Sequence, residues 1–422
     1  MNEVATATPE TTPQADSTAK PAKATVCVMG LGYIGLPTAS ILATRGFDVT
    51  GVDVRPDVVD TINQGRIHIE EPDLDILVRS AVGSGQLKAA HEPVAADIFI
   101  ICVPTPITED HRPDLSYVEQ ASKTIKPLVR AGNLIVLEST SPPQTTQNVV
   151  VPLAVPDDLT VGEDVFVAHC PERVLPGRIL LEAVQNDRVI GGMTPACAER
   201  ARAFYEEFVA GEIFTTSATA AEVTKLVENS YRDVNIGFAN ELSMLADRLD
   251  VDPLEIIQLA NRHPRVNILT PGPGVGGHCI SVDPWFLVHA APDLTPLIRM
   301  AREVNDRKPH FLVEHIKKLA SQFNSPVIGC LGLAYKADVD DLRESPSLEI
   351  TRDLIAAGHR VMACDPYVPA ERFNEFPLHR LEEVVAQSQI LVLLTDHRQF
   401  KNVPRRVLEE KVVVDTRGIW RR

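Results

Sequence analysis

The apolar run Thr25–Met29 leads directly into Gly30-Leu-Gly32-Tyr33-Ile34-Gly35, and a helix-like stretch follows to about Gly46. This succession of strand, glycine turn and helix constrains the fold more than any other feature of the chain. Glycines at that spacing permit a tight turn and close approach of backbone to a pyrophosphate, with the helix N-terminus facing the anion. Residues 48–54 read as the next strand, with Asp53 near its end. An acid there accepts hydrogen bonds from an adenosine ribose and repels a 2′-phosphate, so NAD is expected rather than NADP. Arg55 beside it works against that preference.

Residues 97–103 and 133–138 are further apolar runs, each closed by a turn rich in Pro or Thr. Short apolar strands alternating with helical segments predict βαβ units and a parallel sheet. The pattern changes over Ala218–Leu249, where no Pro occurs and only Gly237 interrupts. Val223, Leu226, Val227, Val234, Leu242 and Leu245 recur there at helical spacing, predicting one long helix or two meeting near Gly237. Residues 252–263 read as another helix, and 264–279 as a glycine-rich loop. The first pattern then returns, with strands at 327–333, 360–364, 390–394 and 412–414 and a helix at 348–357. The expected fold is α/β, two Rossmann-like doubly wound domains joined by a central helical segment with a long helix. The expected boundaries are 1–23 for a tail, 24–210 for the NAD-binding domain, 211–320 for a central helical dimerisation domain with a catalytic loop, and 321–422 for the second α/β domain.

Composition narrows the partners. Lys and Arg number 41 against 57 Asp and Glu, a net charge of −16, with no dense basic block. Nucleic-acid affinity depends on cations that neutralise phosphates, so no nucleic-acid partner is expected. Residues 1–23 are rich in Thr, Ala, Pro and Glu and predict a disordered tail, without the apolar centre of a signal peptide. No run of 18 apolar residues occurs, so no membrane span is expected. Seven cysteines (27, 102, 170, 197, 279, 330 and 364) are scattered without a CxxC pair. They support neither a disulfide framework nor a zinc site, and a reducing cytoplasm is the expected compartment.

The segment from Pro271 to Asp283, Pro-Gly-Pro-Gly-Val-Gly-Gly-His-Cys-Ile-Ser-Val-Asp, is the most informative in chemistry. Its four glycines can present backbone N–H groups to a phosphate or an oxyanion. Cys279 at the rim of such a loop could attack a carbonyl, with nearby donors stabilising the tetrahedral oxyanion. A lone cysteine is more often a small packed residue, and His278 is equally open to a structural role. Spacing alone leaves both readings standing. Lys225, Asn229 and Asp233 share one face of the long helix, ordinarily a solvated stripe unless it lines a cleft. Glu172 follows the strand-like run 165–168 and could project into a crevice, or be a loop carboxylate at the surface. The stretch from Lys336 to Arg343 follows the first strand of the second α/β domain, where basic residues could hold a nucleotide.

Taken together, these residues resemble the UDP-glucose/GDP-mannose dehydrogenase family over about residues 24–422. The matching stretches are Ile67-His-Ile-Glu-Glu-Pro-Asp-Leu74, Cys170-Pro-Glu-Arg-Val-Leu-Pro-Gly177, Asn186-Asp-Arg-Val-Ile-Gly-Gly192, Asn261-Arg-His-Pro-Arg-Val-Asn267 and Gly272 through Trp285. The resemblance implies a four-electron, NAD-dependent oxidation of a UDP-sugar at C6, consuming two NAD⁺. The stretches imply a UDP-N-acetylhexosamine, with UDP-N-acetyl-D-mannosamine first and UDP-GlcNAc, UDP-GalNAc or UDP-glucose as alternatives. Carried over to this sequence, Cys279 forms a thiohemiacetal and then a thioester on the way to a uronate that feeds surface-polysaccharide synthesis. Lys225 and Asp283 activate water and stabilise the oxyanion, Glu172 assists thioester hydrolysis, and Asn229 positions substrate. Gly30, Gly32, Tyr33, Ile34, Gly35, Asp53, Arg55, Thr105, Ser139, Thr140 and Arg343 are the implied cofactor contacts. Arg173, Val174, Lys225, Asn229, Gly274, Gly276, Gly277, Tyr335, Lys336 and Arg417 are implied for substrate. Arg265, or else Arg262, is implied to reach it from a neighbouring subunit of a homodimer or larger homo-oligomer. No metal is implied.

Two departures from the family pattern stand out: Pro143-Gln144 where a glycine is usual, and Ala337 in place of a common proline. Two other functions compete. A two-electron β-hydroxyacid dehydrogenase would need neither the Cys279 loop nor a second α/β domain. A catalytically silent nucleotide-binding regulator would need none of Cys279, Lys225 and Asp283.

Overall fold

A computed structural model describes residues 23–277 and 279–420, so residues 1–22 of the expected tail and His278 lie outside the described residues. The runs predicted as strands form two sheets. In chain order the first comprises β1 (Thr25–Met29), β2 (Asp48–Val52), β3 (Leu87–Ala90), β4 (Ile98–Ile101), β5 (Leu134–Leu137), β6 (Phe166–His169), β7 (Arg188–Gly192) and β8 (Ile213–Ser217). Their spatial order is β3-β2-β1-β4-β5-β6-β7-β8. All neighbours are parallel except β6 and β7. The order reverses between β1 and β4, and a doubly wound sheet has its crevice at the C-terminal ends of those strands. Strands β4 and β5 are wholly buried, which is why they read as unbroken apolar runs rather than alternating ones.

The second sheet comprises β9 (Val327–Leu331), β10 (Arg360–Cys364), β11 (Ile390–Leu393) and β12 (Val412–Asp415). It is entirely parallel in the order β10-β9-β11-β12. Its reversal lies between β9 and β11, where Gly332 has φ +91° and an added Cβ would stand 2.7 Å from the Thr395 nitrogen. The expected α/β architecture with two sheets and a helical segment between them is the one observed.

That segment holds one unbroken helix, Ala218–Leu249, rather than two. Ser217 caps it by accepting the Ala220 N–H, and Asp250 ends it in the left-handed region. Gly237 does not break it; the missing Cβ instead lets helix Pro296–Ala320 approach, since a Cβ there would lie 3.2 Å from the Ala301 carbonyl oxygen. Helix Pro296–Ala320 has no counterpart among the predicted elements. Pro309 inside it and its load of Arg, Lys and His hide the buried face formed by Ala301, Val304, Leu312, Val313 and Ile316. Strand β2 stops at Val52, two residues short of the expected end, because the Asp53 carboxylate turns back onto the glycine loop and Val54 is exposed. Among the described residues no helix is long and apolar enough to cross a membrane.

Candidate functional site

The glycine fingerprint closes β1 at the reversal point. Gly30 has φ +93° and lies so close to the end of β4 that a Cβ would sit 2.7 Å from the Cys102 carbonyl oxygen. A Cβ on Gly35 would strike the Gly30 carbonyl, so this position needs glycine for helix packing. A Cβ on Gly32 would meet nothing within 4 Å, leaving open space on the outer side of the turn. Ile34 stands at the N-cap of helix Gly35–Thr44, and Tyr33 is partly exposed beside it. Asp53 accepts the Leu31 N–H at 3.1 Å through Oδ2 and the Arg55 N–H at 3.0 Å through Oδ1. The acid is therefore fixed to the turn, with lone pairs left for a ribose. Thr105 donates its hydroxyl to the Thr140 carbonyl at 2.6 Å, and Ser139 donates to the Val103 carbonyl at 2.7 Å, tying together the loops after β4 and β5. The open cradle and the anchored acid fit a dinucleotide.

The second half of the site converges from the long helix and the segment 272–283. Asn229, on the buried face, donates to Asp283 Oδ2 at 2.6 Å. Asp283 opens helix Asp283–Ala290 and is only 4% exposed, and burial raises its carboxyl to about 6, against the opposing charge of Lys225 and the Asn229 hydrogen bond. Cys279 reaches solvent yet is hemmed in by protein. Burial, then the Asp283 charge, raises its thiol above the usual range, while Lys225, Arg343 and Arg232 pull the other way. Lys225, Asn229, Cys279 and Asp283 thus form one electrostatic group.

The stripe predicted on the long helix divides at Asp233. That side chain is fully buried and receives Arg302 Nη1 at 2.6 Å and Asn305 Nδ2 at 2.8 Å, a structural role. The glycine loop also differs from expectation. Gly277 N–H donates to the Arg343 carbonyl at 3.1 Å and Gly272 N–H to Asn240 Oδ1 at 2.9 Å, so two of its donors are used inside the protein. Close packing explains the other glycines. A Cβ on Gly274 would lie 2.9 Å from Pro346, one on Gly277 2.8 Å from the Tyr335 ring, and one on Gly276 would overlap the Glu344 carbonyl.

The stretch from Tyr335 to Pro346 consequently covers the Cys279 loop, with Lys336 half-buried in it. Arg343 pairs with Asp341 and sets its guanidinium 5.6 Å from the Tyr33 ring, joining this stretch to the fingerprint. Arg417 donates to Asp396 at 3.0 Å and to the Pro271 carbonyl at 3.3 Å.

Other expected residues stand elsewhere. Glu172 is buried and its Oε2 receives Arg188 Nη1 at 2.7 Å, an ion pair with the first residue of β7 rather than an open carboxylate. Arg173 is bound to Glu228 at 2.8 Å and to the Asp187 carbonyl, and Val174 packs on the first core. Arg262 and Arg265 are exposed beyond helix Pro253–Ala260. Sequence reasoning missed Asn240, Asn305 and Glu222. Glu222 receives the Gln144 N–H, the Thr146 N–H and the Thr146 hydroxyl at 2.6–2.7 Å. Asn240 was within reach, because it continues the face of Asn229 and Asp233.

Comparison with known proteins joins these parts. Residues 24–209 match the NAD binding domain of the UDP-glucose/GDP-mannose dehydrogenase family, 219–307 its central domain and 329–422 its UDP binding domain. The chain is 52% identical over 407 residues to an NDP-N-acetyl-D-galactosaminuronic acid dehydrogenase of Ralstonia solanacearum, covering 94% of this chain and 96% of the relative. It is 49% identical over 421 residues to the UDP-N-acetyl-D-mannosamine dehydrogenase of Escherichia coli K12, covering 94% and 99%. Among solved structures it is similar to the UDP-N-acetyl-mannosamine dehydrogenase of S. aureus, with TM-score 0.86, 40% identity and coverage of 94% and 99%.

Proposed function

The chain belongs to the UDP-glucose/GDP-mannose dehydrogenase family of NAD-binding oxidoreductases, and from that premise we propose that it oxidises UDP-N-acetyl-D-mannosamine at C6 to the uronate. The convergence of Cys279, Lys225, Asn229 and Asp283 is the observation that carries this reading. NAD⁺, when bound in the cradle of Gly30, Gly32, Gly35 and Asp53, supplies the two-electron acceptor for each of two oxidations. Cys279, giving up its thiol proton, bonds to the carbon of the C6 aldehyde left by the first oxidation, whose oxygen becomes an oxyanion facing the Lys225 ammonium. Loss of hydride from that carbon in the second oxidation leaves the thioester. Lys225 and Asp283 hold the water that later cleaves the thioester, returning the thiol and releasing the carboxylate. Glu172 can assist this step once its bond to Arg188 is released.

The same reading takes Thr105, Thr140, Arg55 and Arg343 to the cofactor, and Tyr335, Lys336, Arg417 and the Gly272–Gly277 loop to the nucleotide sugar. Val227, Tyr231, Phe238, Leu245 and Leu249 are exposed apolar residues along the long helix. An apolar stripe of this kind supports a homodimer, which brings Arg265 of one subunit toward the site of the other. Light scattering tests it, and a monomer would refute it. The cytoplasm, where such precursors for surface polysaccharides are made, is the proposed compartment; fractionation of the native protein checks it.

The Ralstonia solanacearum relative favours a second substrate, UDP-N-acetyl-D-galactosamine. Incubation with NAD⁺ and each UDP-sugar in turn decides. Two NADH per sugar are expected, fastest with the manno epimer, and one NADH would sink the scheme. Cys279→Ser is expected to stall before acid release; undiminished uronate from that variant would refute the covalent role.

A further inference from the structure

Asn229 and Asn240 lie on one face of the long helix, separated along its axis by about 16 Å at roughly 1.5 Å per residue. Both are buried. Asn229 holds Asp283, which ends the Cys279 segment, by the 2.6 Å bond from its Nδ2. Asn240 holds Gly272, which begins that segment, by accepting its N–H at 2.9 Å. Two side-chain amides on a single helix therefore fasten both ends of the loop that presents the thiol.

The orientation of the Asn240 amide is dictated from behind. Its Nδ2 donates to Asn305 Oδ1 at 2.9 Å, and Asn305 Nδ2 donates in turn to the carboxylate and carbonyl of Asp233 at 2.8 and 3.1 Å. Arg302 closes the line on Asp233. An amide whose nitrogen is committed must offer its oxygen on the other side. Gly237 makes this possible by admitting helix Pro296–Ala320 to close range. On its far side Gly272 meets Arg417, whose Nη1 would stand 2.6 Å from an added Cβ and which also donates to the Pro271 carbonyl. Gly272 is thus held between the long helix and a cation of the UDP-binding domain.

We propose that Asn240 is a positioning residue for nucleotide-sugar binding, setting the start of the Gly272–Gly277 loop against Arg417 without touching substrate itself. This rests on the reading of that loop and Arg417 as nucleotide-sugar contacts. A merely structural Asn240 would stabilise the helix pair and affect both nucleotides alike. As a positioning residue it acts on one ligand, because the NAD cradle is built from β1, β2, β4 and β5 and shares none of these bonds.

The test uses full-length Asn240→Leu, and Asn240→Ser, whose hydroxyl is too short to reach Gly272. Calorimetry gives Kd for UDP and, separately, for NAD⁺. Loss of one buried anchor is expected to weaken UDP about tenfold, while NAD⁺ binds as in the parent protein. Asn305→Ala, which frees the Asn240 amide but keeps its oxygen, is expected to weaken UDP in the same direction by less. Turnover should show the matching split, with KM for the UDP-sugar raised more than kcat is lowered. Unchanged UDP affinity in Asn240→Ser, or equal losses for UDP and NAD⁺, would overturn the proposal. Should Asn240→Leu fail to fold, Asn240→Ser decides alone. Parent protein that binds UDP yet makes no NADH from any UDP-sugar would remove the proposed reaction while leaving the UDP comparison able to judge Asn240.

Discussion

Asp283 is held at a position that opposes its own ionisation, and replacing it with asparagine should make the protein more stable while abolishing turnover. The carboxyl is raised from an ordinary 3.8 to about 6, chiefly by burial, with Lys225 and Asn229 opposing. A carboxyl raised in the folded state binds its proton more tightly there than in the unfolded chain. Its contribution is therefore fully present below about pH 4 and is lost as pH rises through 6. The difference of about 2 units corresponds to about 3 kcal/mol, an order-of-magnitude figure at about 1.4 kcal/mol per unit. An asparagine in its place would carry no charge at any pH and could still accept the Asn229 hydrogen bond.

Asp283→Asn should accordingly exceed the parent protein in unfolding free energy by up to about 3 kcal/mol at pH 8, with the gap closing toward pH 4. Urea denaturation at pH 8, 6 and 4.5 measures it. A variant no more stable than the parent at pH 8, or a gap independent of pH, would refute the reasoning. The gain would also mark Asp283 as a residue kept for chemistry at the expense of the fold.

Removing the Asn229 donor by Asn229→Ala should raise Asp283 further, moving the acid limb of the pH–rate profile upward by about one unit; an unmoved limb would count against the pair acting together. Gln144, within the Pro143-Gln144 pair, has φ +70°, a left-handed backbone that disfavours a side chain. Gln144→Gly should stabilise by about 0.5–1 kcal/mol in thermal unfolding, the relief of strain being partly offset by the flexibility of glycine in the unfolded chain.

Much of the fold was legible because its strands are apolar runs and its turns carry glycine at fixed offsets. Residues Thr25–Met29 and Arg360–Cys364 begin and end as expected, and so does the 32-residue helix. What stayed hidden depends on partners distant in sequence. Helix Pro296–Ala320 reads as polar because Arg302, Asn305 and Lys308 are buried, each hydrogen-bonded to a group on the long helix. The roles proposed for Cys279, Lys225, Asp283, Asn229 and Glu172 come from family resemblance, whereas residue type and spacing alone left Cys279 undecided. The loop glycines read as donors to a phosphate or an oxyanion; several are also required by contact with Tyr335, Glu344 and Pro346, which the local sequence cannot reveal. Glu172 read as a crevice or surface carboxylate because its partner Arg188, the first residue of β7, is 16 residues further along the chain.

The long helix explains how these parts cohere. An ordinary surface helix buries its apolar stripe and shows its polar one. Here Asn229, Asp233 and Asn240 face inward with hydrogen bonds to the Cys279 segment and the neighbouring helix. Tyr231, Phe238 and Leu245 recur at heptad spacing on the outside. Residues two apart differ by about 200° around a helix, so Tyr231 and Asp233 lie on nearly opposite faces. The inversion is intelligible if each face has a different partner, the site within and a second subunit without. A buried polar face carries an energetic risk, since every unpaired group costs about 1–3 kcal/mol. It also gives a single well-defined register between the helix and the loop, which apolar packing alone would leave free to slide. On the proposed reading, one rigid element sets both the reactive geometry and the contact with a second subunit.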